Sequence, residues 1–509
     1  VAVLYSITSG VLGALAFPKL SLWPFIFVFL APFFFSLSKA RSPLRLAALS
    51  FVFGLFYFGV LFEGLSILYL YVSFAAYGAW LGLVLFQSLF IVLFSLYFRY
   101  LLNSRFHKLL FLFLVPAGWV VLEWLRSLGP FGVSGGILGY AVAGILPLVQ
   151  IASLTGVYGV SFLVVLVNTL VFQVAREKGS FLEKTAVSCV PISIVFLLMI
   201  LTLYYGYYRL EVGDGAEREP IFRAAMIQPN VKQLVKLDFT AKMRVFNKHV
   251  RLTRQVISSK PDLVLWPETV VRTYLSRDRV VARELAGLIR DTGSYFIIGF
   301  PHHELTKVYN SAYLFSPSGS IVARYDKQKP VPFGEYLPLR SLLYPLLRRF
   351  GARHSIFENG YDFNPDPKLL PVLSRNIGMA ICFESTFPYL LRQRVRAGAD
   401  AIVVITNDAW FGSSSLAFQH FDISVFRAIE TGIPLLQVAN TGISGVVDSK
   451  GRVLEKIGID REIVLVTDVP QGEAGTFYST YGNLFVGLLA VLCVAALLIR
   501  KALSLRGPV

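Results

Sequence analysis

Cys382 stands at the end of the apolar run Ile377–Ile381, with Glu384 close behind it. Such a run reads as a short buried strand, so the chain would deliver a thiol beside a carboxylate where a helix begins. A thiolate is an intrinsically strong nucleophile whose pKa answers to its neighbours. The competing reading is a buried structural cysteine. Three other segments also carry reactive side chains just past apolar runs. Pro267 closes one run and presents Glu268; Lys327 and Glu335 follow another; Asn407 and Asp408 open the stretch Thr406–Gly412. An ordinary thiol is only a few per cent ionised at neutral pH, so attack on a carbonyl gains from a base, for which Glu268 is the candidate. The oxyanion that follows needs positive charge aimed at it, for which Lys327 is the candidate. Glu335 would hold the Lys327 ammonium in place.

The elements that must position these groups are strands alternating with amphipathic helices. Runs rich in Val, Ile, Phe and Tyr predict strands at Ile221–Gln228, Asp262–Trp266, Tyr295–Phe300, Asn310–Phe315 and Ile321–Tyr325. Further strands are expected at Ile377–Phe383, Ala401–Ile405, Leu435–Ala439 and Ile463–Val469, and helices at 238–258, 277–292, 386–398 and 416–431. Short apolar strands alternating with helices argue a layered α/β domain. No internal repeat is visible in the residues.

That domain is set in a very apolar chain. Of 509 residues 55% are hydrophobic, and the mean hydropathy is +0.62, values that exclude an ordinary soluble protein. The apolar runs fall in 1–207 and 483–500, which makes 1–207 a transmembrane domain, 208–482 the extramembrane domain and 483–509 a closing span with its tail. About eight spans of bilayer length are expected, near 1–17, 21–38, 44–63, 78–99, 108–126, 157–175, 186–206 and 483–500. Basic residues gather in the loops 39–45, 99–108 and 176–184 and in the tail, whereas 64–77 and 127–156 contain, Arg126 aside at the end of a span, no Lys or Arg. The positive-inside rule then puts both termini in the cytoplasm and 208–482 on the opposite, periplasmic side of a bacterial inner membrane. Much of the net charge of +17 is explained by these loops, so it does not argue for nucleic acid. Glu123 and Arg126, at the end of a span, are placed to fix a helix. Of Cys189, Cys382 and Cys493, only Cys382 lies outside the apolar runs, which excludes a disulfide within the domain. The histidines show no metal-ligand spacing, and no nucleotide or other cofactor motif is present. Gly132–Gly136 spells a G-x-S-x-G pattern, but without the strand–turn–helix setting of a nucleophile elbow.

Trp266-Pro267-Glu268, Lys327 followed by Val331-Pro-Phe-Gly-Glu-Tyr-Leu-Pro338, and Cys382-Phe383-Glu384 occur in that order. Together with Asn407-Asp-Ala-Trp-Phe-Gly412 and Asn440-Thr-Gly-Ile-Ser444 they make residues 220–470 resemble the nitrilase, or carbon–nitrogen hydrolase, superfamily. The resemblance implies an αββα sandwich with a Glu268-Lys327-Cys382 triad. With the spans before and after it, the whole chain is similar to the membrane-bound acyltransferases of that superfamily, which complete bacterial lipoprotein maturation. This implies a phospholipid acyl donor, a thioester on Cys382, and the N-terminal amine of a diacylglyceryl-cysteine apolipoprotein as acceptor, with no cofactor and no metal. Glu335, Glu384 and Phe383 would support the triad; Trp410, Phe411, Tyr336, Trp266 and Asn407 would contact substrate. Leu339–Phe350, with arginines among apolar residues, would lie on the bilayer as a lipid-access arm. Phe383 stands where relatives often have Tyr, and Gln328-Lys329-Pro330, Leu237, Ile433 and Gln437 also depart from the usual pattern; no triad member is lost. Two other readings stay open: a membrane-tethered amidase or nitrilase that resolves the thioester with water, and a transporter or receptor with a degenerate binding domain.

Overall fold

The computed structural model describes residues 1–72, 75–104, 106–211, 219–349, 360–473 and 475–505. Arg105, Phe350 and His354, together with the end of the basic tail, lie outside them. The chain divides into two compact units, Val1–Asp214 with Tyr481–Val509, and Gly215–Thr480.

The first unit is helical. Among the described residues, Pro43–Leu61, Ala76–Leu102, Lys108–Leu125, Val157–Arg176 and Cys189–Glu211 are long and apolar enough to cross a membrane. The other expected spans, at 1–17, 21–38 and 483–500, are the shorter apolar helices Ala2–Leu15, Trp23–Ser38 and Leu484–Ile499, and Leu146–Thr155 adds another. Pro24 is one reason the second is short, since it sits in a 3₁₀ turn at Trp23–Phe27 ahead of the regular helix. Ser42 accepts from the Arg45 amide ahead of Pro43, a capped start for the first long span.

Glu123 and Arg126 both act on the non-helical backbone that follows them. Glu123 accepts from Trp119 Nε1 and from the Leu138 amide, each at 2.9 Å. Arg126 Nη1 donates to the carbonyls of Gly135 at 2.7 Å and Val133 at 3.1 Å. Irregular backbone packed among helices needs such partners, since it has no helix or sheet ladder of its own to satisfy its N–H and C=O groups. The glycines of the G-x-S-x-G pattern are steric: a Cβ on Gly132 would come within 2.3 Å of the Ser127 carbonyl oxygen, and Gly136 has φ +71°.

The second unit is a sandwich of two six-stranded sheets. One sheet contains β1 (Phe222–Gln228), β2 (Leu263–Leu265), β3 (Tyr295–Glu304), β4 (Lys307–Phe315), β5 (Ile321–Asp326) and β12 (Ile463–Val469). The other contains β6 (Leu370–Val372), β7 (Arg375–Ile381), β8 (Ala401–Thr406), β9 (Leu435–Ala439), β10 (Ser444–Val447) and β11 (Val453–Ile457). Their orders are β12-β1-β2-β3-β4-β5 and β11-β10-β9-β8-β7-β6. In each, three parallel strands (β1–β3, β7–β9) are flanked by antiparallel ones.

Side chains alternate along each central strand, and both faces are buried. Met226, Leu265, Met379, Ile381, Val403 and Ile405 fill the layer between the sheets. Ala225, Ile227, Val264, Trp266 and Phe296 point the other way, under the helices Lys242–Arg254 and Arg279–Thr292. This double burial is why the strands read as continuous apolar runs. The expected helix at 238–258 is shorter because Asp238 accepts from the Thr240 amide and starts a 3₁₀ turn first.

Candidate active site

Cys382 directly follows Ile381, the last residue of β7, and opens the 3₁₀ turn Cys382–Thr386. Its φ is +53°, in the left-handed region that a residue bearing a Cβ occupies only when its surroundings hold it there. Glu384 supplies much of that hold. Its fully buried carboxylate accepts from the Ile381 amide at 2.7 Å, the Gln328 amide at 2.6 Å and the Lys329 amide at 3.1 Å. Tyr325 Oη lies 2.9 Å from both of its oxygens, and Arg394 Nη2 donates to that hydroxyl at 2.7 Å. Glu384 therefore ties the segment after β5, which carries Lys327, to the turn that carries Cys382.

Glu268 makes the corresponding tie to β8. Its Oε2 accepts from the Asn407 amide at 3.0 Å and its Oε1 from Asn310 Nδ2 at 2.7 Å. Asn310 Nδ2 also reaches Glu335 Oε1 at 2.8 Å, so one amide bridges two carboxylates. Lys327, 1% exposed, has its ammonium 2.9 Å from Glu335 Oε2 and 3.5 Å from Glu268 Oε1. Glu335 is itself anchored by the Val331 amide at 2.7 Å. Burial alone would depress the Lys327 amine, but Glu335 and then Glu268 outweigh it and hold its pKa above the usual lysine range.

Cys382 feels the same charges. Burial pushes the thiol well above its usual range and Glu268 adds to that, while Lys327 pulls it back. It rests as a thiol within the field of a carboxylate and an ammonium, and so needs a base to be activated. Lys236, which donates to the Glu268 carbonyl at 3.1 Å, is brought down to about 8 by burial against the attraction of Glu268.

Of the expected site residues, the structure brings together Glu268, Lys327, Glu335, Cys382 and Glu384. Phe383 is half-buried, with its ring edge-on to Phe387 at 4.8 Å. Trp410 and Phe411 are half-buried in the 3₁₀ turn Asp408–Phe411, and Tyr336 is half-buried beside Pro332. Trp266 and Asn407 require correction as substrate contacts. Trp266 is fully buried on the helix side of its sheet, where Nε1 donates to Thr253 Oγ1 at 2.9 Å. Asn407 spends its side chain on Gln233 and Asn440, at 3.0 and 2.8 Å, and offers the site only its backbone amide. The helix Arg340–Arg349 lies within the expected lipid-access stretch, and Leu342 on it is exposed. Asn310, Tyr325, Arg394 and His420 were not expected at the site. Tyr325 stands two residues before Lys327, but Asn310, Arg394 and His420 lie in stretches without motif character, and only partners distant in sequence reveal their place. Among the described residues no His, Cys, Asp and Glu cluster is arranged to hold a metal.

Residues 223–478 match the carbon-nitrogen hydrolase family, and residues 9–170 match the apolipoprotein N-acyltransferase N-terminal domain. The chain is 35% identical to the apolipoprotein N-acyltransferase of Geobacter metallireducens over 524 aligned positions, which cover 99% of this chain and 95% of that one. The chain belongs to the apolipoprotein N-acyltransferase family. The enzyme of that name from Bradyrhizobium diazoefficiens is 30% identical, with 99% of this chain and 96% of that one covered. Among solved structures, an amidase from Nesterenkonia sp. is similar over 50% of this chain and 92% of its own, at 20% identity and a TM-score of 0.39. Membership, with the apolar helices, makes this a multi-pass membrane protein of the carbon-nitrogen hydrolase superfamily.

Proposed function

We propose that this chain moves an acyl chain from a phospholipid to the α-amine of a diacylglyceryl-cysteine lipoprotein, through a thioester on Cys382. The observation that carries the reading is the convergence of Glu268, Lys327 and Cys382 at the ends of β2, β5 and β7 in a chain of this family. In the first half-reaction Glu268 takes the Sγ proton and the thiolate attacks the ester carbonyl. The tetrahedral oxyanion forms against the Lys327 ammonium, which Glu335 holds in position. Collapse expels the lysophospholipid alkoxide, which leaves with the proton from Glu268. In the second half the amine attacks the thioester, Glu268 takes its proton, and the departing thiolate is reprotonated. Asn310 and the Asn407 amide keep both Glu268 oxygens oriented through the cycle.

The reading also places the basic loops in the cytoplasm and the sandwich on the periplasmic side, where a lipid donor and a lipid-anchored acceptor are both at hand. Intact-protein mass spectrometry of the detergent-solubilised full chain with phospholipid tests the chemistry. An acyl adduct on Cys382 that a diacylglyceryl lipopeptide discharges is expected, and Cys382→Ala should show none. Discharge to free fatty acid by water alone would make the protein a hydrolase. Lipopeptide acylation by Cys382→Ala would refute the thioester.

A further inference from the structure

Behind the thiol lies a second buried group of polar side chains. His420, on the helix Ser415–Thr431, is 9% exposed. Its Nδ1 is 3.0 Å from Asp408 Oδ1, and its Nε2 is 2.7 Å from Ser385 Oγ and 3.1 Å from the Cys382 carbonyl oxygen. Ser385 Oγ donates to that same carbonyl at 3.0 Å. Asp408 Oδ1 also accepts from Thr406 Oγ1 at 2.9 Å, and Asp408 is fully buried. Space for it exists because residue 442 is glycine: a Cβ there would come within 2.3 Å of Asp408 Oδ2.

Counting donors assigns the protons. The Cys382 carbonyl can only accept, so Nε2, 3.1 Å from it, carries a hydrogen, and the Ser385 hydroxyl, with its own hydrogen on the same carbonyl, accepts from Nε2–H as well. Asp408 accepts from Nδ1–H. Both ring nitrogens face acceptors, as an imidazolium requires. We infer that Asp408, His420 and Ser385 form a clamp on the Cys382 carbonyl that fixes the nucleophile's left-handed backbone, with His420 as the positioning residue. Burial works against a charged imidazole, but Asp408 first, with a further contribution from Glu268, keeps its pKa above the ordinary histidine value, in keeping with the donor count.

The physical reason for such a device lies in the conformation of Cys382. A positive φ at a residue with a Cβ is disfavoured, and relaxing it would swing Sγ away from Glu268 and Lys327. The Glu384 network secures the amide side of the turn through the Ile381 N–H. The His420 group secures its carbonyl side. With both secured, Sγ sits where attack requires it before substrate arrives, which lowers the barrier to reaction without adding to substrate binding.

This inference rests on the thioester reading, and the test separates the two. The rate of Cys382 acylation by phospholipid is measured by mass spectrometry for wild type, His420→Leu, His420→Gln and Ser385→Ala, each as full-length protein with its unfolding temperature recorded. His420→Leu should acylate at least tenfold more slowly at saturating lipid with an unchanged half-saturation concentration. His420→Gln, which keeps an N–H near the Nε2 position, should recover most of the rate, and Ser385→Ala should fall between. Wild-type acylation rates in His420→Leu, or a change confined to half-saturation, would overturn the clamp. So would equal losses in the Leu and Gln variants that track equal drops in unfolding temperature, since that pattern belongs to packing. Absence of any adduct on wild type would instead overturn the thioester reading itself.

Discussion

Two buried glutamates flank Cys382, and they differ in what their oxygens are bonded to. Glu384 is enclosed by three backbone amides and a tyrosine hydroxyl that Arg394 backs. Its proton affinity is raised by burial, with Arg394 and Lys327 opposing. Glu268 has one backbone amide, one side-chain amide and a lysine at 3.5 Å. Both groups tie one strand end to another, but only Glu268 shares its carboxylate with the ammonium that also acts on the thiol. Burial alone does not mark a carboxylate for chemistry. A carboxylate whose acceptors are committed to backbone amides is a rivet, and one beside the nucleophile with a shared cation can exchange a proton.

Substitutions can break that distinction. The largest effect is expected at Glu268→Gln, which should lower the acylation rate by about 10³-fold, within the usual span for a general base. The same change should act oppositely on bare thiol reactivity. It removes a negative charge that disfavours the thiolate, so the pH midpoint of iodoacetamide labelling at Cys382 should fall even as acylation is lost. A labelling midpoint that rose would contradict the assigned electrostatics. Lys327→Met should cost about 10²-fold in acylation, as loss of an oxyanion partner does. It should also raise the labelling midpoint, since the cation that favours the thiolate is gone.

Glu384→Gln should reveal itself first in stability, on the order of 2 kcal/mol, because an amide nitrogen would face backbone N–H donors that need acceptors. Acylation should decline only as the turn loosens; a labelling midpoint displaced as far as in Glu268→Gln would erase the contrast between the two glutamates. The smallest effect is expected at Trp266→Phe. It leaves Thr253 Oγ1 without its indole donor and should lower stability by about 1 kcal/mol with acylation unchanged. A loss of lipid affinity there would restore Trp266 as a substrate contact.

Much of the fold is legible in the sequence alone. Long apolar runs marked the spans, and continuous apolar strands marked a sandwich whose sheets are covered on both faces. Strand β1 matches its apolar run to within a residue, and β9 and β12 match theirs end to end; the short β6, β10 and β11 have no such run. Val453–Ile457 is largely exposed and Ser444–Val447 contains a glycine, so neither shows the pattern of a buried strand. Trp266 was misplaced for a different reason. It stands two residues before Glu268, a spacing that alternation would put on one face, but β2 ends at Leu265 and the chain leaves the strand through Pro267, so the two side chains part.

Residue types after apolar runs made the thiol, the carboxylate and the lysine candidates, because the local chemistry of each is carried by its own side chain, and the resemblance of their segments to the carbon–nitrogen hydrolases singled them out. Tertiary structure alone decided which groups meet. Asn310 bridges Glu268 and Glu335 because β3 alone separates β4 from β2 in their sheet, Arg394 steadies Glu384 through Tyr325 across the two sheets, and His420 grips the Cys382 carbonyl because the helix after β8 packs beside the turn after β7. Hydrogen bonds of that kind depend on distances of tenths of an ångström between segments remote in sequence, and no periodicity or motif encodes such a distance.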